Sequence, residues 1–315
     1  MSALNVGVVG IGHLGNYHLQ KYRKIEHVEI VGVADCDLAR AEKAAGIFNC
    51  SAYSDHRRLV ENVDAVSITV PARDHHTVAR DFLIAGKDVL IEKPFTATLP
   101  EADELIRLAA EKNLILQVGF IERFNPAVVA LDKVIRQPMF IESHRLHPFI
   151  ERGTDVDVVL DLMIHDLDLI LHYVPSPIKN VEAVGVHVLS DKVDIANVRL
   201  TFDNGCVANI TASRVTLKHM QKLRFFGVEG YHSVDFSKRE LVSVKRQEKE
   251  GGKIEIGLNA VQVAQYDPLE EEIRTFVDSV TQRTEPSVSG AEARKSLELA
   301  LLINEKMKTG RDVTL

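Results

Sequence analysis

Two stretches of this chain hold residue types at spacings that chemistry can use. The first is Gly10-Ile11-Gly12-His13-Leu14-Gly15, a G-x-G-x-x-G directly after the apolar run Val6–Val9 and before a helical stretch. Asp35 follows 20 residues beyond Gly15, at the end of Val31-Gly32-Val33-Ala34-Asp35. Gly10 permits a tight turn, Gly12 lets backbone approach a pyrophosphate, and Gly15 allows close helix–sheet packing. The helix N-terminus then offers N–H groups to the phosphates. A carboxylate at Asp35 accepts from an adenosine ribose and repels a 2′-phosphate, which predicts NAD rather than NADP. The competing reading is a plain glycine turn with Asp35 capping the next helix.

The second stretch is Val156–Val174, an apolar helical run closed by Pro175. At about 100° per residue, Asp161, His165, Asp168 and His172 fall within about 80° of Asp157, while Asp166 lies on the far side. Unpaired carboxylates are costly to bury, so the stripe needs a polar cavity, a metal or strong partners. Three readings stay open. Asp161 and His165 form an acid/base pair at i and i+4; Asp and His ligands hold zinc or a similar ion; or neighbouring groups satisfy the charges. A third feature is Glu92-Lys93-Pro94 after Val89–Ile91. Ligands of open parallel sheets bind beyond the strand carboxyl ends. That makes Lys93 a candidate to reach the crevice, against the alternative of a solvated surface lysine.

Elements must position these groups. The Val- and Ile-rich runs Val6–Val9, Val28–Ala34, Ala65–Val70, Val89–Ile91 and Leu114–Val118 read as strands buried on both faces. Helical patterns Ala39–Ile47, His75–Ala85 and Leu99–Glu111 lie between them. The alternation predicts a doubly wound α/β fold with a parallel sheet over 1–120. Beyond 121 the pattern changes. A helix is expected from Pro126 to about Ile135, with strands at Phe140–Leu146, Val181–Leu189, Ile195–Phe202, Cys206–Ala212, Lys222–Gly227, His232–Phe236 and Leu241–Lys245. Asp203-Asn204-Gly205 signals a hairpin, and Arg246–Lys253 reads as a surface hairpin. Strand after strand predicts a large, mostly antiparallel open sheet in an α+β domain over 121–315. Helices at about Pro268–Thr281 and Gly290–Lys308 are candidates to pack back on the first domain.

The bulk properties limit the function class. The 315 residues carry 38 basic against 45 acidic side chains, a net charge of −7, with 45% hydrophobic residues. No basic stripe marks a nucleic-acid binder. Three irregularly spaced cysteines, Cys36, Cys50 and Cys206, offer no zinc spacing and suit a reducing compartment. No apolar run is long enough to span a bilayer, and the N-terminus lacks a signal-peptide pattern. A cytoplasmic protein is expected.

The combined motifs resemble the Gfo/Idh/MocA oxidoreductases, a family that includes glucose–fructose oxidoreductase and inositol 2-dehydrogenase. The resemblance runs through the nucleotide loop, Val66-Ser67-Ile68-Thr69-Val70-Pro71 with His75, Glu92-Lys93-Pro94, Arg123-Phe124-Asn125-Pro126 and Asp161-Leu162-Met163-Ile164-His165-Asp166-Leu167-Asp168. It implies an NAD-dependent dehydrogenase acting on CH–OH groups. Val70, Pro71, His75, Glu92 and Lys93 would join the loop and Asp35 around the cofactor, and Lys93, Asp161 and His165 would form the catalytic group. His165 would take the hydroxyl proton, Lys93 would stabilise the oxygen, and Asp161 would orient the pair. No metal is then required. The family pattern further implies a cis Lys93–Pro94 bond and a homodimer or homotetramer through the second-domain sheet.

Many relatives have a glycine pair where this chain has Arg152-Gly153-Thr154. Arg145, His147 and Arg152, with His144, are expected to form a basic patch for an anionic sugar nucleotide, with Arg123 also on the substrate side. Solvated surface charges are the alternative. Gly153–Ile170 with Glu122–Pro126 is most similar to the branch that oxidises the 3-hydroxyl of UDP-N-acetylglucosamine-type sugars. Two other outcomes exist within this fold: an NAD-sensing regulator without catalysis, and an enzyme that recycles tightly bound NAD during glycoside cleavage or epimerisation.

Overall fold

The computed structural model describes residues 3–149, 156–228, 230–249 and 253–309. They form two compact units, one of the described residues up to 121 with 267–294, the other of those from 122 to 266 and from 295 on.

In the first unit, strands β1 (Leu4–Val9), β2 (Val28–Ala34), β3 (Ser51–Tyr53), β4 (Ala65–Ile68), β5 (Asp88–Glu92) and β6 (Leu116–Gly119) pair in the order β3-β2-β1-β4-β5-β6. Every pairing is parallel. The order reverses between β1 and β4, which opens a crevice at the strand carboxyl ends. Helices α1 (His13–Tyr22), α2 (Leu38–Phe48), α3 (His75–Ile84) and α4 (Leu99–Lys112) make the crossovers. Their ends follow from local chemistry. Asp37 caps α2, a Thr98–Glu101 capping box opens α4, and left-handed Asn49 and Asn113 close α2 and α4. Helix α7 (Pro268–Gln282), capped by Asp267, packs Ile273, Phe276 and Val277 with Leu19, Tyr22, Val6 and Val33 in one core. The short edge strand β3 has too few residues to show a periodicity, so sequence pattern alone misses it.

In the second unit, α5 (Pro126–Leu131) precedes β7 (Phe140–Leu146). It is shorter than the expected helix to Ile135. A π turn at Val159–Met163 then leads into α6 (Ile164–Tyr173). Strands β8 (Ile178–Val186), β9 (Ile195–Phe202), β10 (Val207–Ser213), β11 (Met220–Gly227), β12 (Gly230–Asp235), β13 (Glu240–Lys249) and β14 (Lys253–Asn259) complete a sheet ordered β14-β13-β12-β11-β7-β10-β9-β8. Among the described residues of this second sheet only β7–β10 pairs in parallel. Part of the expected Arg246–Lys253 hairpin lies outside the described residues; its arms extend β13 and supply β14, whose strand pattern the charges and glycines mask. Alternate residues of β7, β9 and β10 are buried, as a sheet covered on one face requires. The last helix, α8 (Gly290–Thr309), gives its first residues to the first unit and the rest to the second.

Candidate active site

The glycine loop is built as a phosphate cradle. Gly10 has φ +90°, and a Cβ there would stand 2.7 Å from the Val70 backbone nitrogen. A Cβ on Gly15 would stand 2.1 Å from the Gly10 carbonyl oxygen, whereas one on Gly12 would meet nothing within 4 Å. Gly10 and Gly15 are therefore required by the protein itself, while Gly12 borders open space that a ligand can use. Gly12 is also the N-cap of α1 and supplies no side-chain cap, so the first N–H groups of the helix have no side-chain acceptor from that position. Thr69 braces the loop by donating to the Gly10 carbonyl at 2.6 Å, a role the sequence reading did not assign.

Asp35 is buried at the end of β2. Its Oδ2 accepts from the Ile11 N–H at 2.7 Å and its Oδ1 from the Asp37 N–H at 2.9 Å. Arg40 Nη1 lies 3.3 Å from Oδ2 and 3.4 Å from Oδ1. The N-cap of α2 is Asp37, so the competing reading of Asp35 as a helix cap does not hold. The Arg40 contacts are long and its guanidinium is half exposed, so ribose hydroxyls can take their place on the carboxylate. The chain's residues thus fit a dinucleotide, with the loop N–H groups on the phosphates and Asp35 on the ribose.

Lys93 follows β5 in a partly exposed position, and its bond to Pro94 is cis. Two neighbours expected beside the cofactor have partners of their own in the framework. His75 is buried, with Nδ1 2.8 Å from the Pro94 carbonyl and Nε2 2.9 Å from the Val70 carbonyl. It ties the ends of β4 and β5 together. Glu92 is buried and its Oε1 lies 3.0 Å from His18 Nε2. Val70 and Pro71 stand at the mouth of the loop, half-buried and exposed respectively.

In the second unit, Asp161 lies in the π turn and His165 in the first turn of α6, both half-buried. The π turn departs from the continuous α-helix expected over Val156–Val174, and π turns of this kind recur at functional sites. Two members of the predicted stripe have partners of their own. Asp157 caps the π turn, accepting from the Val159 and Leu160 N–H groups at 2.9 and 3.1 Å, and takes Asn304 Nδ2 at 2.7 Å. Asp168 is buried and accepts from Arg123 Nε at 2.5 Å, Arg123 Nη2 at 3.1 Å and Ser296 Oγ at 3.2 Å. That leaves Asp161 and His165 as the half-buried members that the resemblance implicates. Among the described residues no group of three or more His, Cys, Asp or Glu side chains is arranged to hold a metal ion.

Among the described members of the expected basic patch, the side chains part to different faces and partners. Strand β7 points alternate side chains to opposite faces, so His144 and Arg145 diverge. Arg145 is 2% exposed and binds Asp166 through Nε at 3.0 Å and Nη2 at 2.9 Å, with Nη1 2.9 Å from Glu122. The guanidinium lies over the Phe236 ring, 4.8 Å from its centroid. Arg123 is likewise committed to Asp168. Both arginines, expected on the substrate side, are engaged in ion pairs within the second unit. His147 turns to the Pro148 carbonyl, 2.6 Å away, and Arg152 lies outside the described residues.

A pair that sequence reasoning missed supports the π turn. Asp194 Oδ2 accepts from the N–H groups of Val188, Leu189 and Ser190 at 2.8, 2.7 and 2.9 Å. Its Oδ1 takes Arg214 Nε at 2.9 Å, and Arg214 Nη1 donates to the Val156 carbonyl at 2.9 Å. No motif announces this link, because its members lie far apart in the chain.

A model of the oxidoreductase family with an NAD-binding Rossmann fold matches residues 4–120, and the GFO/IDH/MocA C-terminal domain matches residues 135–233. The chain belongs to the Gfo/Idh/MocA oxidoreductase family. It is 38% identical over 309 residues to UDP-N-acetylglucosamine 3-dehydrogenase of Acidithiobacillus ferrooxidans, covering 96% of this chain and 97% of that protein. A solved structure of that enzyme superposes with a TM-score of 0.91 over 98% of this chain and 99% of the other. Myo-inositol 2-dehydrogenase of Thermotoga maritima is 26% identical over 99% of this chain and 98% of its own. Levoglucosan dehydrogenase, solved with NADH and L-sorbose, shares the fold with a TM-score of 0.87 at 20% identity, over 98% of each chain. The chain is thus an NAD-dependent dehydrogenase whose first unit is the NAD-binding Rossmann fold.

Proposed function

We propose that this dehydrogenase oxidises the 3-hydroxyl of UDP-N-acetylglucosamine or a closely related sugar nucleotide. The observation that carries this reading is the end-to-end similarity to UDP-N-acetylglucosamine 3-dehydrogenase, at 38% identity with almost nothing of either chain left over. The proposed roles follow from side-chain chemistry. His165 accepts the proton of the substrate hydroxyl as general base. Lys93 donates a hydrogen bond to the same oxygen and offsets negative charge as it develops. Asp161, one helical turn before His165, orients the imidazole and balances its charge. NAD, when bound, supplies the hydride acceptor.

NADH formation from NAD and UDP-N-acetylglucosamine tests the proposal, with free N-acetylglucosamine and myo-inositol run beside it. Turnover confined to polyols or free sugars overturns the substrate assignment. Lys93→Met and His165→Gln should each lower kcat by about 100- to 10,000-fold, with NAD affinity nearly constant in His165→Gln. Full activity in either variant removes that residue from the catalytic group.

We also propose a cytoplasmic homodimer or homotetramer assembled through the uncovered face of the second sheet. The register supports it. Phe140, Phe226, Tyr231, Val244 and Leu258 stand opposite one another on successive strands of that face. Phe226 lies 5.6 Å from Phe140 and 4.9 Å from Tyr231, centroid to centroid. Ile256 and Leu258 are 80% and 81% exposed. An apolar row of this extent marks an interaction surface. No helix of the described residues is long and apolar enough to cross a membrane.

A further inference from the structure

Behind the Lys93 turn lies a buried polar group that the proposed chemistry does not use. Helix α1 buries His18 and Tyr22 completely. His18 bonds Glu92, as above, and Tyr22 Oη lies 2.7 Å from Ser67 Oγ of β4. Helix α7 brings Glu272 into the same unit with 0% exposure. Neither carboxylate oxygen of Glu272 has a hydrogen-bond partner among the described residues. Its backbone carbonyl accepts from Gln117 Nε2 of β6 at 3.1 Å. Glu92 is tightly seated, since a Cβ on Gly119 would stand 3.0 Å from its carboxyl carbon.

An ionised carboxylate without a donor is very costly in such a place. A second carboxylate nearby raises the cost, because two like charges in one site cannot both be kept. The facing groups give no relief. Tyr22 is pushed up by burial and stays a neutral phenol, Ser67 and Gln117 are neutral, and Lys21 of α1 turns to Asp267 at 3.1 Å. Glu92, by contrast, has His18 as a partner.

We propose that Glu272 is held as the neutral acid in a buried Glu272–Glu92–His18 group, and that this group positions Lys93 by fixing the preceding side chain to helix α1. With Glu272 neutral, the negative charge rests on Glu92 alone and the Glu92–His18 bond is kept. Burial, and then the Glu92 charge, push the Glu272 acid well above the usual carboxylate range, in line with this assignment. The positioning half rests on the proposed role of Lys93; the protonation half does not.

Infrared spectra of protein labelled with carboxyl-¹³C glutamate test the protonation. A protonated-acid carbonyl band at neutral pH should be present in the wild type and lost in Glu272→Gln. Thermal melting gives a second reading. A group whose folded pKa is raised keeps its proton after the unfolded chain has released it, so the stability it contributes declines above about pH 4.3. Glu272→Gln should therefore gain melting temperature on the wild type progressively from pH 5 to pH 8. No acid band, with parallel melting curves, means an ionised Glu272 and overturns the protonation half.

For positioning, His18→Phe and Glu92→Gln should lower kcat by about tenfold or more with little change in KM for NAD. Glu272→Ala should lower kcat and Glu272→Gln restore it. The NMR signal of the Lys93 side chain, assigned by its loss in Lys93→Arg, should shift in His18→Phe and Glu92→Gln. An unmoved Lys93 signal overturns positioning even if no substrate is ever turned over.

Discussion

Arg40 stands beside Asp35 with its guanidinium half exposed, and the pair carries a prediction about cofactor choice at the level of single side chains. As long as Asp35 is charged, it repels a 2′-phosphate and holds Arg40. Asp35→Ser removes the repulsion and frees a cation suited to phosphate. The ratio of kcat/KM for NADP over NAD should then rise by about 10- to 100-fold. Adding Arg40→Ala should cancel most of that gain; an equal gain without Arg40 would show that charge removal alone is responsible. Much at this scale was legible beforehand. Gly10, Gly12, Gly15 and Asp35 act through backbone geometry and local order, which a motif states directly. The framework partners of His75 and Glu92 were not legible, because a motif says nothing of where a buried side chain finds its partner.

Helix α6 and strand β7 are joined by a charge pair that neither element reveals alone. Asp166 was expected on the far side of its helix, and there it meets Arg145 from the sheet. Burial works against Arg145's charge, and Asp166 and Glu122 overcome it, holding the guanidinium firmly protonated. Arg145→Met leaves Asp166 buried without its partner and should destabilise the second unit by about 3–5 kcal/mol. The double variant Arg145→Met/Asp166→Leu should lose less than the single one, as measured by denaturant midpoints.

Asp194 makes the matching prediction for acid. Burial opposes its charge, but the Ser190 hydroxyl and the N–H groups of Leu189, Val188 and Ser190 hold the carboxyl well below the usual range. A lowered carboxylate contributes stability above its unfolded pKa and loses it as pH falls. The deficit of Asp194→Asn in denaturant midpoint should thus be full at pH 7 and shrink toward pH 3. A deficit that does not vary with pH would assign the loss to packing.

For the whole molecule, the uncovered sheet face makes the largest claim. Sedimentation of the wild type should show a dimer or tetramer at micromolar concentration, and Phe226→Asp or Leu258→Asp should shift it to monomer. A wild type that is monomeric throughout would overturn the assembly. A charge on this face leaves the helix-covered core intact, so the variants should keep their melting behaviour apart from the loss of association.

The sequence by itself determined the parallel first sheet, the antiparallel character of the second, the glycine cradle with its acidic partner, and the family. The sheets and the cradle rest on periodicities and spacings that short-range sterics enforce, and the family on the resemblance of its motifs. Only the tertiary structure decided where the charges go. Arg123, Arg145, Asp166, Asp168, Glu92, His18 and Glu272 find their partners, or fail to, across 21 to 180 positions of chain. Burial multiplies the cost of leaving such groups unpaired, and burial is set by packing between elements. Arg123 and Arg145, expected on the substrate side, thus become members of internal ion pairs, and a helix that looked continuous opens into a π turn at Asp161.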